Sequence, residues 1–343
     1  MSAAHATSDQ RPPTNPQPAS RPSGPETVLL AAACAGLGLR PDGAEILCRR
    51  RNLVARLPAT GLPGPAVVKI HDLGTARADV ARQADLARWL TDRGFPTAAP
   101  AGRHLVVAAG DRWASAVRDL GPGEPATHTQ LGMLIRKLHA LPAPTHLGLP
   151  LSDPAASLLS RVTRLPDAVL PPDERAWLRE QIAAAGTQFD AVGWRGRPGL
   201  VHGDVHLPNT IVARDGSPYL LDWETAALGP AAADLVFPAW PVDAFGYNSS
   251  SYRDFCEAYG ADVTTTDGGH LYRVLTRMTA AVGVVIALEE TTRDPAWRIE
   301  ATYRLSCFRH QGGDDPAFAY PWRWSISPTT ASTPVGAATS GRR

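Results

Sequence analysis

Lysine is almost missing from this chain. Of its 34 basic residues only Lys69 and Lys137 are lysines, and the other 32 are arginines. That bias points to GC-rich coding, and a lysine that survives it marks a place where a compact ammonium is needed rather than a planar fork. An excess of one charge is lacking too. The 33 acidic residues leave a formal net charge of +1, with no basic footprint for nucleic acid. Cysteine is scarce: Cys34, Cys48, Cys256 and Cys307 show no C-x-x-C spacing, which fits reduced packing thiols in a cytoplasmic protein. No run of about 18 uncharged apolar residues occurs, so no membrane span is expected. Residues 1–25 hold six prolines and no signal-peptide core. A disordered arm is expected over residues 1–24 and a disordered tail over residues 328–343.

What is present organises into two parts. At 343 residues the chain can bury a core in each of two lobes. An opening helix from residue 25 precedes two β-rich runs, "AEILCRRRNLVARLP" and "PAVVKIHDL", separated by a Pro/Gly turn at 58–65. "TARADVARQADLARWLTDRG" has helical apolar spacing and is closed by Gly94 and Pro96. Two more strands follow, then a break at 121–123. Beyond it the pattern is mainly helical, over 127–141, 171–192, 250–259, 270–290 and 295–309. This predicts an α+β chain with a small β-rich N-lobe (25–120) and a larger, mainly helical C-lobe (121–327).

The chemistry concentrates in "LVHGDVHLPNTIVARDGSPYLLDWE", residues 200–224. Polar groups at the ends of buried strands carry a desolvation cost unless something binds them. A polar loop whose carboxylates cap turns is one reading. A second is a two-metal phosphoesterase, because Gly203-Asp204-Val205-His206 matches a Gly-Asp-x-His ligand set; that site needs further His and Asp ligands, and downstream His270 and His310 are isolated. A third is phosphoryl transfer. Asp204 and Asn209 stand five positions apart, as in the kinase catalytic loop, and Asp222 follows the next strand. Phosphoryl transfer needs one carboxylate at the acceptor hydroxyl, and hard oxygen ligands to hold Mg²⁺ against nucleotide phosphates. Strands at 210–213 and 219–221 would bring Asn209 and Asp222 to adjacent ends of a hairpin.

"HGDVHLPN…LLDWE" followed by "GPAAADLVF" resembles the aminoglycoside phosphotransferase and choline kinase-like family, whose members have a two-lobed protein-kinase-like fold. The resemblance spans roughly residues 25–325. It implies an enzyme that moves the γ-phosphoryl group of ATP or GTP, with Mg²⁺, to a hydroxyl of a small molecule. By that likeness Asp204 is the catalytic base, Asn209 and Asp222 are Mg²⁺ ligands, His202 braces the loop and Asp234 holds its backbone. Asp234 also reads as a helix N-terminal carboxylate. Lys69, the one charge in the run Ala66–Ile70, suits the lysine that pairs the α- and β-phosphates.

Gln83 stands where kinases carry the glutamate that pairs with this lysine, with Asp79 or Asp85 as substitutes in another register. No glycine-rich loop is present; Arg49, Arg50, Arg51 and Asn52 occupy that turn. The adenine-contacting segment is expected near residues 117–120. Candidate acceptor contacts are His206, Glu224, Trp240 and Tyr247, with Asn248 and Tyr252 nearby. His206 also reads as a packed loop histidine, Glu224 as a solvent-facing acid, and the aromatics as core. Residues 231–318 hold twelve acidic residues against seven arginines, compatible with a cationic acceptor such as an aminoglycoside. An antibiotic self-resistance kinase is the favoured context, by association. A housekeeping metabolite kinase and a nucleotide-binding pseudokinase are the alternatives.

Overall fold

The computed structural model describes residues 20–49, 51–61, 64–192 and 198–310. Most of the expected arm, the whole expected tail and Arg50 lie outside these residues. The expected arm is too long at its end: Ser20 exchanges backbone hydrogen bonds with Ile46, and its hydroxyl accepts from Arg49 (2.6 Å).

Helix α1 (Pro25–Leu37) starts on a proline, whose missing N–H costs nothing in a first turn, and ends at left-handed Gly38. It covers one face of an antiparallel sheet of five strands in the order β1-β2-β3-β5-β4: β1 (Glu45–Arg49), β2 (Leu53–Leu57), β3 (Ala66–Ile70), β4 (Val107–Ala109) and β5 (Arg112–Arg118). The alternation within β3 decides everything that follows. Ala66, Val68 and Ile70 are buried against α1, together with Leu30, Cys34 and Leu37, so Val67 and Lys69 point to the opposite face. There β3 is flanked by β2 and β5, with Lys69 opposite Val54 and Ser115. Helix α2 (Arg77–Asp92) lies next to that open face.

The chain leaves the sheet at Arg118 and becomes helical at α3 (His128–His139), opened by a capping box between Thr127 and Gln130. Helices α4 (Pro154–Arg164), α5 (Pro172–Ala191), α6 (Ala232–Phe245), α7 (Ser249–Tyr259), α8 (His270–Thr291) and α9 (Arg298–Arg309) complete this part. Two short antiparallel pairs sit among them, β6 (Gly199–Val201) with β9 (Ala227–Gly229), and β7 (Thr210–Val212) with β8 (Pro218–Leu220). Helix α4 and strands β6 and β9 are absent from the sequence expectation, which held of α6 only a helix start at Asp234. Pro238 and Pro241 inside α6 explain that shortfall, because interior prolines read as breaks. The 22-residue α8 is long and apolar enough to cross a membrane by length and composition. It buries most of that surface against α4, α5, α6 and α9. All four cysteines are free thiols, and burial raises that of Cys34 to about 11.

Helices α3 and α7 pack so closely that a Cβ on Gly132 would stand 2.5 Å from the carbonyl oxygen of Phe255. Gly132→Ala is therefore expected to destabilise the protein by about 1–3 kcal/mol through overpacking, read as a lower midpoint in denaturant. An unchanged midpoint would show that the two helices part without cost.

Candidate active site

The loop between β6 and β7 hangs on one buried carboxylate. Asp234, fully buried in the first turn of α6, accepts from the backbone N–H of His202 (2.8 Å) and of Gly203 (2.7 Å), and from His139 Nε2 (3.0 Å). The two sequence readings of Asp234 thus coincide, since a carboxylate here also meets the positive end of the helix dipole. Gly203 has φ +80°, and a Cβ there would lie 2.6 Å from the carbonyl oxygen of Thr225, so no other residue fits. His202 is fully buried. Its Nε2 donates to the carbonyl of Leu221 (2.8 Å) and its Nδ1 accepts from the N–H of Asp204 (3.3 Å). Thr225 Oγ1 closes the loop onto the carbonyl of His202 (2.9 Å).

This frame fixes Asp204. Its Oδ2 accepts from Asn209 Nδ2 (3.0 Å) and from His206 Nε2 (3.2 Å), and Asn209 Nδ2 also reaches its carbonyl (2.9 Å). Burial pushes the Asp204 carboxyl up, but the hydrogen bonds from His206 and Asn209 outweigh it and hold the group below its ordinary value. The β7–β8 hairpin does what its spacing predicts. The N–H of Leu221 donates to the carbonyl of Asn209 (2.8 Å), which sets Asn209 beside the residue preceding Asp222. Asp222 has φ 65° and is the single non-glycine residue with positive φ among the described residues. Aspartate tolerates this region better than most residues, and such outliers concentrate at functional sites.

Lys69 reaches across from the sheet. Its Nζ lies 2.9 Å from Asp222 Oδ1 and 2.8 Å from Glu224 Oε2. Burial lowers the ammonium's pKa, yet the two carboxylates overcome it and raise the group. Burial likewise raises Glu224, but Lys69 and the hydrogen bond from Asn52 (3.2 Å) bring it below its ordinary value. Between the open face of the sheet, α2 and the hairpin lies a cavity of about 570 Å³, lined by Lys69, Gln83, Ser115, Ile211 and Asp222 and by residues 117–121. Its apolar walls with a few convergent polar groups are those of a small-molecule site.

The family model for the phosphotransferase enzyme family matches residues 49–275, well over half of the chain. The chain belongs to this family. No curated protein matches it. Among solved structures, the amicoumacin kinase hAmiN in complex with AMP-PNP, Ca²⁺ and Ami superposes with a TM-score of 0.63 at 13% identity, covering 85% of this chain and 95% of that one. A choline/ethanolamine kinase family protein from Mesorhizobium loti gives 0.57 at 16% identity, with 84% and 96% covered. Spectinomycin phosphotransferase, in complex with ADP and spectinomycin, gives 0.56 at 15% identity, with 88% and 96% covered. These likenesses establish the two-lobed kinase-like fold.

Within this phosphotransferase, Lys69, Asp222 and Glu224 form one bonded group and His202, Asp204, His206, Asn209 and Asp234 a second, and the backbone of Leu221 and the hydroxyl of Thr225 tie the two together. Several expectations need correction. Glu224 does not merely face solvent; it is bonded to Lys69 and Asn52. His206 is not packed away, for it is about two-fifths exposed and faces Asp204. Gln83 lines the cavity but is not among the bonded partners of Lys69, and neither substitute serves: Asp79 pairs with Arg82 and Asp85 is exposed. Trp240 and Tyr247 flank Phe245 with ring centroids 5.2 and 5.9 Å away, and Trp240 packs on both hydrophobic clusters of the helical part. Sequence reasoning missed His139, Thr225 and Asn52, none of which belongs to a local motif.

His71, buried just beyond the end of β3 near Lys69, bonds Ser115 Oγ (3.0 Å). Burial and the neighbouring Lys69 push it down to about 4. Between pH 4 and the ordinary histidine value of about 6.5, the unfolded chain binds this proton and the folded chain does not, so stability falls as pH falls through that window. The loss amounts to about 3 kcal/mol. His71→Gln is expected to flatten that part of the stability–pH curve measured by denaturant unfolding. An identical slope would show that His71 does not set it.

Proposed function

We propose that this protein is a Mg²⁺-dependent kinase of a small-molecule hydroxyl. The observation that carries the reading is Asp204, oriented by His206 and Asn209, with the carbonyl of Asn209 bonded to the N–H of Leu221, a wall residue of the cavity that Lys69 and Asp222 also line. Asp204 receives the acceptor proton. Lys69 neutralises nucleotide phosphates, and the segment 117–120 at the cavity wall contacts the base. The AMP-PNP and ADP of the solved structures favour an adenine nucleotide over GTP.

The donor set suits a hard cation. Asp222 offers a carboxylate and Asn209 an amide oxygen that takes no part in the bonds to Asp204, and both sit at adjacent strand ends. No cluster of three or more His, Cys, Asp or Glu suited to a metal occurs among the described residues. That agrees with an ion completed by phosphates and water rather than by a protein cage. When bound, Mg²⁺ would offset phosphate charge. His202 and Asp234 act one step back, holding the loop backbone so that Asp204 and Asn209 keep their places.

For the acceptor, the amicoumacin kinase and spectinomycin phosphotransferase support an antibiotic hydroxyl, of the aminoglycoside type or another. The choline/ethanolamine kinase family protein supports a metabolite amino alcohol as a second reading.

Incubation with Mg²⁺, ATP or GTP and a panel of aminoglycosides, other antibiotics and amino alcohols is expected to yield one product heavier by a phosphoryl group, seen by mass spectrometry. Asp204→Ala should lower turnover by roughly 10²–10⁴ with nucleotide affinity retained. Turnover should show no loss from Asp204 protonation above about pH 5, because its carboxyl lies below the ordinary range. Full activity of Asp204→Ala would remove it from the role of base.

A further inference from the structure

A kinase lysine needs a carboxylate to hold it against the phosphates, and in protein kinases that carboxylate comes from the helix following its strand. Here α2 offers none. The residues it gives to the cavity are Gln83, Ala84 and Ala87. Its acids Asp79 and Asp85 are turned to Arg82 and to solvent. Lys69 is nonetheless held by two carboxylates, both from the turn after β8.

We propose that Glu224 replaces the missing helix glutamate as the positioning partner of Lys69. This rests on the phosphotransferase reading above and assigns a task within it. The two acids divide the work. Asp222 Oδ1 is 2.9 Å from Lys69 Nζ and also belongs to the donor set for the cation. Once a cation draws on Asp222, Glu224 at 2.8 Å remains the anion that keeps the ammonium in place. Glu224 is itself aimed. Asn52 Nδ2 donates to the same Oε2 that meets Lys69 (3.2 Å), and Asn52 Oδ1 accepts from the N–H of Asp72 (2.9 Å), so the amide cannot swing away without losing a backbone donor. The arrangement differs from a strand–helix pair in one physical respect. Lys69 on β3 and Asn52 in the turn between β1 and β2 stand 155 and 172 residues from Glu224, which follows the β7–β8 hairpin, so the pair joins the sheet to the hairpin instead of lying within the sheet and its helix.

Calorimetric titration with AMP-PNP and Mg²⁺ tests this without knowledge of the acceptor. Glu224→Gln is expected to weaken AMP-PNP binding about tenfold or more, the size of a lost hydrogen bond to a charged group. The Mg²⁺ concentration for half-maximal binding should stay unchanged. Adding Gln83→Glu to Glu224→Gln should restore most of the affinity, since it returns the carboxylate to the helix; a merely structural defect would not respond. Thermal unfolding of each variant identifies one that has lost its fold. Unchanged affinity in Glu224→Gln overturns the inference. So does a raised Mg²⁺ requirement without rescue by Gln83→Glu, which would make Glu224 a metal ligand. Failure of the unaltered protein to bind AMP-PNP would instead overturn the nucleotide-binding reading beneath it.

Discussion

The site depends on a carboxylate that never meets solvent. Asp234 is buried where an unpaired charge would be prohibitive, and it is tolerated because two backbone N–H groups and the His139 ring converge on it. The dependence runs both ways. The N–H groups of His202 and Gly203 are turned inward at the end of β6, and without an acceptor each would cost about 1–3 kcal/mol. The topology makes the meeting possible: β9 ends at Gly229 beside β6, and α6 begins three residues later with its N-terminus under the loop. Ordering one loop thus draws on α3, α6 and the β6–β9 pair at once. That explains how a stretch without regular structure holds Asp204 and Asn209 in fixed relation.

Above that anchor the site is built from opposed charges kept close but unequal in freedom. Asp222 is held by a left-handed backbone at the start of the turn Trp223–Thr225, Lys69 by the alternation of β3, and Glu224 by Asn52. A positive φ at a non-glycine residue is a local cost, of order 1 kcal/mol or more. It is sustained because the Leu221 N–H and carbonyl on one side, and Trp223 on the other, are both fixed. Trp223 donates to Thr97 Oγ1 (2.8 Å) and packs on the rings of Phe95 and His202. The acidic turn is therefore stiff, and nucleotide phosphates must compete for a lysine already placed among carboxylates.

How far the sequence foretold this follows from the range of each interaction. Asp204, Asn209 and Asp222 were legible because their chemistry requires certain residue types at short, fixed spacings. Lys69 was legible because a single charge in an alternating strand must face away from the core. The helices from α3 onward showed their period, apart from α4 and α6. In α4 the signal was present but passed over, for Asp153 caps it (2.8 Å to Ala156 N–H) and Pro154 opens it. Glu224, Asn52 and His139 could not be assigned from any window, because their partners stand 95 to 172 residues away and are joined only by the fold. Trp240 and Tyr247 were read both as pocket candidates, from their proximity along the chain to the acidic turn, and as core aromatics; in the fold each ring packs against Phe245.

The same distinction between count and placement bears on the acceptor. The helical part carries an acidic surplus, which as composition suits a cationic ligand. In the fold most of it is already engaged. Glu289 forms a fork with Arg161 (2.8 Å twice), Glu300 pairs with Arg304 and Glu290 with Arg293. Asp262 accepts from Tyr252 and Thr264, Asp243 from Tyr272, and Asp294 caps the turn before α9. A carboxylate paired with an arginine contributes little field beyond that partner, whereas Asp262, Asp243 and Asp294, bonded to neutral donors, keep their charge. Beyond that remaining charge, acceptors are discriminated by shape and by the hydrogen-bonding pattern around Asp204 and His206. Such a site can reject an isostere that lacks the required hydroxyl far more strongly than one that merely differs in charge at a distance.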